Sequence, residues 1–335
     1  MKFLVVGLGS MGKRRIRNLL ALGHKEIAGF DPREDRRNEA VTKYNIFPFS
    51  DYELAIKSFK PDALIISTGP ALHMQYAEDS VGRKIPCFIE ASVVHADRVE
   101  ALQIEATKQP IVVAPSCTMR YSEGVKCIRE LLEKNVIGKP LNFNYQHGQY
   151  LPDWHPWEKV KDFYVGQRET GGCREMVAFE LTWLNSLFGD PSILSCVRDK
   201  ITEIDAEIDD IYHFILRYPN GPLANITIEV VSRPVMTREL RILGTNGQIV
   251  FSDHEHTVRY KNAGDDNWTT INVGMGTQEP GYVKPEEPYI AEIADFVQAV
   301  QNNDQKRFPN TLAEDTKILR LLERLDHLSE IKNGL

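Results

Sequence analysis

The stretch Phe3-Leu4-Val5-Val6-Gly7-Leu8-Gly9-Ser10-Met11-Gly12 decides the fold of the N-terminal part of this chain. Four consecutive apolar residues read as a strand buried on both faces, and a G-x-G-x-x-G turn follows at once. Ile16, Leu19, Leu20 and Leu22 then recur at helical spacing up to Gly23, a C-cap residue, and a second apolar run, Ile27 to Phe30, ends at Asp31. Strand, glycine turn, helix, strand and acid is the order a dinucleotide site needs. Gly7 allows the tight turn, Gly9 lets the backbone approach the pyrophosphate, and Gly12 lets helix and strand pack closely. Ser10 and Met11 stand with them as candidate cofactor contacts, because a helix start offers unpaired N–H groups to an anion. Asp31 is placed for the ribose hydroxyls. A carboxylate there favours NAD, since it repels a 2′-phosphate; Arg33, Arg36 and Arg37 just beyond it leave NADP possible.

Outward from that stretch, strands and helices keep alternating. Pro61 to Thr68 reads as a loop and buried strand, Gly69-Pro70 breaks the chain, and a helix is expected from about 71 to 83. A short strand, Cys87 to Ile89, ends at Glu90; a helix over about 96–108 and the strand Ile111 to Ala114 complete a doubly wound unit. Ligands of such sheets sit at the carboxyl ends of the strands, which makes Thr68, His73 and Glu90 further candidates for cofactor contact. This N-terminal Rossmann domain is expected to span residues 1–119.

Beyond Ser116 the pattern changes. Ser122 is a candidate cap for a helix with Val125, Ile128, Leu131 and Leu132 on one face. Strands then dominate: 141–149, 212–218, 223–231, 237–243 and 248–251, with turn signals at Pro219-Asn220-Gly221 and Thr245-Asn246-Gly247. Two helices close the chain, over about 288–302 and 311–331, the second opened by a capping box of Thr311 and Glu314. Residues 120–335 are therefore expected to form an α+β domain around a large, mostly antiparallel open sheet, and the fold class is α/β.

The chain has 335 residues, enough for two domains, with 42% apolar and 26% charged residues, ordinary for a globular protein. Its net charge of −7 argues against a nucleic-acid binder. The basic triplet Lys13-Arg14-Arg15 reads as a solvated helix face. Lys2 onward already reads as the first strand, leaving no secretory signal, and no apolar run is long enough to span a bilayer, so a cytoplasmic protein is expected. Cys87, Cys117, Cys127, Cys173 and Cys196 are scattered without ligand-like spacing, which fits buried free thiols in a reducing compartment. His254-Glu255-His256 lacks a third spaced ligand, and no metal is expected.

The stretch 149–183 concentrates Tyr150, Trp154, His155, Trp157, Phe163, Tyr164 and Trp183, with Asp153, Arg168, Arg174, Glu175 and Glu180 between them. Aromatic planes against C–H faces, with polar groups fixing orientation, suit a sugar-like ligand. Trp154, Arg168, Arg174 and Glu180 are accordingly candidate substrate contacts.

The whole chain resembles the Gfo/Idh/MocA family, the glucose-fructose oxidoreductase and inositol dehydrogenase group. The resemblance rests on the glycine fingerprint with Asp31, Pro61-Asp62-Ala63, Thr68 through His73, Glu90, Met119-Arg120-Tyr121, Gly138-Lys139-Pro140, Gly171-Gly172, Phe188-Gly189, Thr245-Asn246-Gly247 and the closing helix pair. It implies a Rossmann domain followed by an open sheet with a substrate pocket on one face, to which Arg120 belongs as a further candidate. It also implies a homodimer or homotetramer through the other face, and hydride transfer between NAD(P) and a carbohydrate-like hydroxyl. The usual catalytic lysine, aspartate and histidine of the family fall on Ala91, Met176 and Phe179, and a further usual aspartate on Thr182. A positioned base typically contributes about 10²–10⁴-fold to such a reaction, so a substitute is required. Glu175 and His155 are the candidate acid/base residues; Cys173 and His147 are also considered, and Arg174 is a candidate for an anionic substrate group. The readings that follow are an oxidoreductase of a sugar, sugar acid or nucleotide sugar with a non-standard acid/base set; a redox-neutral epimerase, lyase or glycosidase with retained NAD; or a non-catalytic NAD-binding regulator.

Overall fold

The computed structural model describes residues 1–333 apart from Trp157, Asn220, Gly281 and Val283, with side chains described through residue 330. The expected contributions of Trp157 to the aromatic stretch and of Asn220 to its turn thus lie outside the described residues. The chain divides into two compact units, Met1–Thr118 with Gly276–Thr316 and Met119–Met275 with Lys317–Leu335.

In the first unit, β1 (Phe3–Val6), α1 (Ser10–Ala21), β2 (Ile27–Phe30), α2 (Glu34–Tyr44), β3 (Phe47–Phe49), α3 (Tyr52–Phe59), β4 (Ala63–Ile66), α4 (His73–Gly82), β5 (Cys87–Ile89), α5 (Ala96–Thr107) and β6 (Val113–Pro115) alternate. The strands pair in parallel in the order β3-β2-β1-β4-β5-β6. Every residue of β1 and β4 is fully buried, which is why these strands read as continuous apolar runs rather than alternating ones. The strand order reverses between β1 and β4, and that reversal opens a crevice at their carboxyl ends. The sequence reading did not resolve α2, β3 and α3: α2 buries only Ala40, and β3 is a three-residue edge strand carrying Pro48.

In the second unit, α6 (Glu123–Glu133), β7 (Pro140–Gly148), α7 (Gly172–Phe188), β8 (Ser192–Asp199), β9 (Ile211–Arg217), β10 (Leu223–Glu229), β11 (Thr237–Gly244), β12 (Gly247–Ser252), β13 (Thr257–Asn262) and β14 (Thr269–Asn272) build an eight-stranded sheet with two helices. Its order is β14-β13-β12-β11-β7-β10-β9-β8, antiparallel except where β10 runs parallel to β7. One face is buried, as in β9, where Tyr212, Phe214 and Leu216 alternate with the exposed His213, Ile215 and Arg217. Helix α6 starts where expected: the Ser122 side chain accepts from the Val125 N–H at 3.3 Å. It packs so closely on the sheet that a Cβ on Gly124 would meet the Phe251 ring at 2.4 Å.

The remaining helices are α8 (Glu287–Asn302) and α9 (Leu312–Asn333). Gly276–Thr316, expected within the second domain, clusters with the first unit. The cause is a set of buried charges. Glu286, before α8, accepts from Arg14 Nε at 2.9 Å, Arg17 Nη2 at 3.1 Å and Asn18 Nδ2 at 3.1 Å. Glu292 accepts from Ser116 Oγ at 3.0 Å and Thr118 Oγ1 at 2.7 Å, and pairs with Arg15 Nη2 at 2.9 Å. The reading of Lys13-Arg14-Arg15 as a solvated face is therefore corrected. Arg14 and Arg15 are 3% and 0% exposed, their guanidinium planes lying against Tyr289 and Phe88 respectively. The capping box at Thr311 forms as expected, Thr311 N–H donating to Glu314 Oε2 at 3.0 Å and Glu314 N–H to Thr311 Oγ1 at 3.2 Å. Among the described residues no helix is long and apolar enough to cross a membrane.

Candidate functional site

The first unit presents a cradle at the carboxyl end of β1. Gly7 has φ +91°, and a Cβ there would meet the Ser67 carbonyl oxygen at 2.7 Å; a Cβ on Gly12 would meet the Gly7 carbonyl oxygen at 1.9 Å. These two glycines hold the turn tight against β4 and bring α1 close to β1. Gly9 differs: the nearest atom to a Cβ there is Arg36 Nη1 at 3.6 Å, an ordinary contact with the end of a flexible side chain. Ser10, Met11 and Gly12 form the first turn of α1, where N–H groups have no intrahelical acceptor. Asp31 is 2% exposed; its Oδ2 accepts from the Leu8 N–H at 2.8 Å and its Oδ1 from the Arg33 N–H at 2.9 Å.

At the ends of β4 and β5 several polar atoms are buried without a partner among the described residues: Thr68 Oγ1, His73 Nδ1 and Ser92 Oγ. His73 Nε2 lies 2.9 Å from the Thr68 carbonyl, which can only accept, so Nε2 carries the proton and Nδ1 is a bare acceptor. Burial lowers the His73 pKa, the Thr68 hydrogen bond opposes it, and the ring is neutral. Glu90 takes Arg15 through both oxygens, at 2.6 and 2.9 Å, and accepts from Ser67 Oγ at 3.3 Å. Buried orphan donors and acceptors are costly unless a bound group satisfies them. Together with the tight turn at Gly7 and Gly12, they make these residues fit a dinucleotide.

The second unit places its candidates around the start of α7. Gly171 leaves no room for a side chain, since a Cβ there would lie 2.1 Å from Val165 Cα, and Thr170 Oγ1 donates to the Tyr164 carbonyl at 2.8 Å. This lashing sets Tyr164 against the first helical turn, where its hydroxyl donates to Glu175 Oε1 at 3.1 Å. Glu175 Oε2 is buried and has no partner among the described residues. Burial pushes the Glu175 carboxyl up to about 8, only partly offset by Tyr164. His155 stacks on Phe163 at 4.8 Å, and Phe163 meets Tyr164 edge-on at 6.1 Å, so His155 and Glu175 belong to one packed aromatic row. His155 Nδ1 lies 3.3 Å from Glu158 Oε2. The Trp154 indole N–H is buried and has no partner among the described residues.

Other candidates are placed elsewhere. Glu180 is fully buried: Tyr145 Oη and Trp183 Nε1 donate to its Oε2 at 2.5 and 2.6 Å, and Arg238 pairs with Oε1. Burial would raise its pKa, but Arg238, His147 and these hydrogen bonds outweigh that and hold it down at about 2. Its expected role in binding substrate is corrected, because both oxygens are spent inside the core. His147 is equally buried, its Nδ1 3.0 Å from the Thr237 carbonyl. Cys173 is 0% exposed, donates to the Ile228 carbonyl, and burial drives its pKa well up, so it is not a nucleophile. Arg174 is held by Asp326 at 2.8 Å and the Glu169 carbonyl at 2.7 Å, and Arg168 forks onto Asp209 at 3.2 and 3.0 Å; these anchors replace the anionic substrate group expected for Arg174. Arg120 Nε donates to the Thr182 carbonyl at 3.1 Å.

Two residues with a part in the site were not singled out from sequence. Tyr164 was one aromatic among several, and only the Gly171 contact reveals its place beside Glu175. Arg15 as the partner of Glu90 carried no local signal, since the two are 75 residues apart.

Two family models match the chain: the oxidoreductase family with NAD-binding Rossmann fold over residues 1–116, and the GFO/IDH/MocA C-terminal domain over residues 125–250. Myo-inositol 2-dehydrogenase of Thermotoga maritima is 21% identical over 96% of this chain and 94% of its own length. Inositol 2-dehydrogenase of Burkholderia vietnamiensis is 22% identical over 72% of this chain and 71% of its own. Among solved structures, levoglucosan dehydrogenase in complex with NADH and levoglucosan superimposes with a TM-score of 0.84 at 17% identity, covering 98% of this chain and 97% of that one. An oxidoreductase from Agrobacterium radiobacter in complex with NAD⁺, L-tartaric acid and magnesium gives a TM-score of 0.85 at 14% identity, covering 100% and 97%. At these identities the structural likeness speaks for the fold.

Proposed function

Because the chain belongs to the GFO/IDH/MocA family of NAD-binding oxidoreductases, we propose that it oxidises a hydroxyl of a polyhydroxylated, sugar-like ring, with Glu175 as the base. The observation that carries this reading is the Glu175 carboxyl itself, pushed up to about 8, with one oxygen fixed by Tyr164 and the other buried and unpartnered. A general acid/base works best with a pKa near the working pH, and Ala91, Met176 and Phe179 offer no proton-transferring group. Bound NAD supplies the hydride acceptor. The residues assigned to hold it are Gly7, Gly9, Ser10, Met11, Gly12, Asp31, Thr68, His73 and Glu90. Glu175 Oε2 takes the hydroxyl proton as the carbon gives up its hydrogen with the electron pair, which leaves a carbonyl. Trp154 offers an apolar face and an indole donor to the ring; His155 buttresses the aromatic row behind Tyr164. The inositol and levoglucosan dehydrogenases it resembles are named for polyhydroxylated rings, which supports that substrate class.

The test is a panel of cyclic polyols, sugars and sugar acids assayed for NADH formation, followed by Glu175→Gln on the best substrate. Turnover is expected to fall about 10²–10⁴-fold with NAD affinity unchanged; unchanged turnover removes Glu175 from the mechanism. Absence of NADH from the whole panel, with NAD that survives dilution, would favour a redox-neutral reaction instead. We also assign the exposed sheet face carrying Asn144, Asn225, Ile215 and Val197 to pairing between copies of the chain. Light scattering is expected to give more than one chain, and Ile215→Arg to reduce it.

A further inference from the structure

Helix α7 begins without a side-chain cap, since Gly171 precedes it, yet its first turn carries Glu175. What fastens that turn comes from the far end of the chain. On α9, Asp326, Ser329 and Glu330 fall at i, i+3 and i+4 and so share one face. Asp326 Oδ2 accepts from Arg174 Nε at 2.8 Å; its Oδ1 accepts from the Tyr212 hydroxyl of β9 at 2.8 Å and lies 3.5 Å from Arg198 Nη1 of β8. Ser329 Oγ accepts the Arg198 N–H at 3.0 Å, and Glu330 pairs with the Arg198 guanidinium. Arg198 Nη1 in turn donates at 2.7 Å to Asp209, the carboxylate that holds Arg168 in the loop before α7. Residues on both sides of Gly171 are thus tied through alternating charges to two strands and α9.

Arg174 immediately precedes Glu175, but successive side chains leave a helix about 100° apart. Its guanidinium is turned onto Asp326 and the Glu169 carbonyl. What moves the Glu175 carboxyl is burial, opposed by the Tyr164 hydroxyl; the neighbouring cation has no part in it. Among the described residues, the titratable group on the Glu175 carboxyl is the Tyr164 hydroxyl, and those on Asp326 are Arg174 of α7, Arg198 of β8 and Tyr212 of β9. We propose that Asp326 is a positioning residue for the reaction: through Arg174 it sets the first turn of α7 against Tyr164 and keeps the Arg174 charge directed away from Glu175. This role rests on Glu175 as the base.

The experiment compares Asp326→Asn, Arg174→Gln and the double variant with the wild type in steady-state rates against pH, on the best substrate of the panel with saturating NAD. Asp326→Asn keeps the side-chain shape but removes the counter-charge. Its kcat is expected to fall about 10–100-fold with KM within about threefold, and the midpoint of its rate profile to move down by about one unit as the Arg174 cation acts on Glu175. Arg174→Gln is expected to lose rate to a similar degree with its midpoint near that of the wild type, and the double variant to resemble it. Asp326→Glu is expected to recover part of the rate. A purely structural role would lower the folded fraction and leave the midpoint in place, so an unmoved midpoint in Asp326→Asn, or a shift that persists without Arg174, overturns the proposal. Urea unfolding and NADH binding report whether each variant is folded. Carboxyl ¹³C NMR of glutamate-labelled protein follows the Glu175 titration without turnover, its signal identified by its absence in Glu175→Gln. A lowered Glu175 midpoint in Asp326→Asn supports the link between the two residues even where Glu175→Gln turns over normally, and an unmoved one overturns it.

Discussion

Glu175 and Glu180 sit five residues apart on α7, yet the helix gives them opposite chemistry. Glu180 has an arginine, a tyrosine hydroxyl and an indole N–H on its oxygens, and its carboxyl is held down at about 2. Glu175 has one tyrosine hydroxyl and an orphan oxygen, and its carboxyl is pushed up to about 8. The Glu180 side chain and the Glu175 Oε2 are buried; what separates them is whether the desolvated charge is compensated. A compensated carboxylate is structural, and an uncompensated one is poised to exchange a proton near neutral pH.

The comparison breaks most sharply at catalysis. Glu175→Gln is expected to cost about 10²–10⁴-fold in turnover without loss of stability at neutral pH, measured by steady-state rates and urea unfolding. Glu180→Gln is expected to do the reverse. It leaves the buried Arg238 to Asp253, at 3.4 Å, and lowers the unfolding free energy by about 3–5 kcal/mol. If either substitution produced the other's phenotype, the distinction drawn from their partners would be lost.

The pH dependence of stability has opposite signs at the two positions. The Glu175 pKa is raised in the folded chain, so its contribution is present below the ordinary value of 4.5 and lost as pH rises towards about 8. The Glu180 pKa is depressed, so its contribution is present above 4.5 and lost as pH falls towards about 2. Unfolding midpoints followed against pH are expected to show a shallower decline between pH 4.5 and about 8 in Glu175→Gln and a shallower acid decline in Glu180→Gln. The oxidation rate of the wild type is expected to rise with pH through about 8, as Glu175 ionises to the basic form. The smallest expected effect is that of Tyr164→Phe. Removing the donor that favours the charged form should move the midpoint of that rate profile up by about one unit, and an unmoved midpoint would detach Tyr164 from Glu175.

The same contrast explains what could be read from the chain before its structure. Both glutamates were legible as candidates, because charged residues amid aromatics invite a site. The local sequence does not separate them, since two of the partners of Glu180, Tyr145 on β7 and Arg238 on β11, are 35 and 58 residues away. Arg14 and Arg15 failed for a similar reason: a basic triplet on a helix reads as solvated until Glu286, 272 residues from Arg14, and Glu292 arrive to bury it. The helix caps at Ser122 and Thr311, by contrast, were correct from sequence because donor and acceptor lie within four residues of each other.

The sequence by itself determined the Rossmann fingerprint from Phe3 to Asp31 and the switch to a mostly antiparallel sheet. Those features are encoded in apolar periodicity, glycine spacing and residue identity, all of which act over one or two turns of chain. Only the tertiary structure decided which carboxylates are paid for by buried partners and where Gly276–Thr316 belongs. Desolvation and charge compensation depend on neighbours brought together from distant parts of the chain, and a linear pattern carries no record of them.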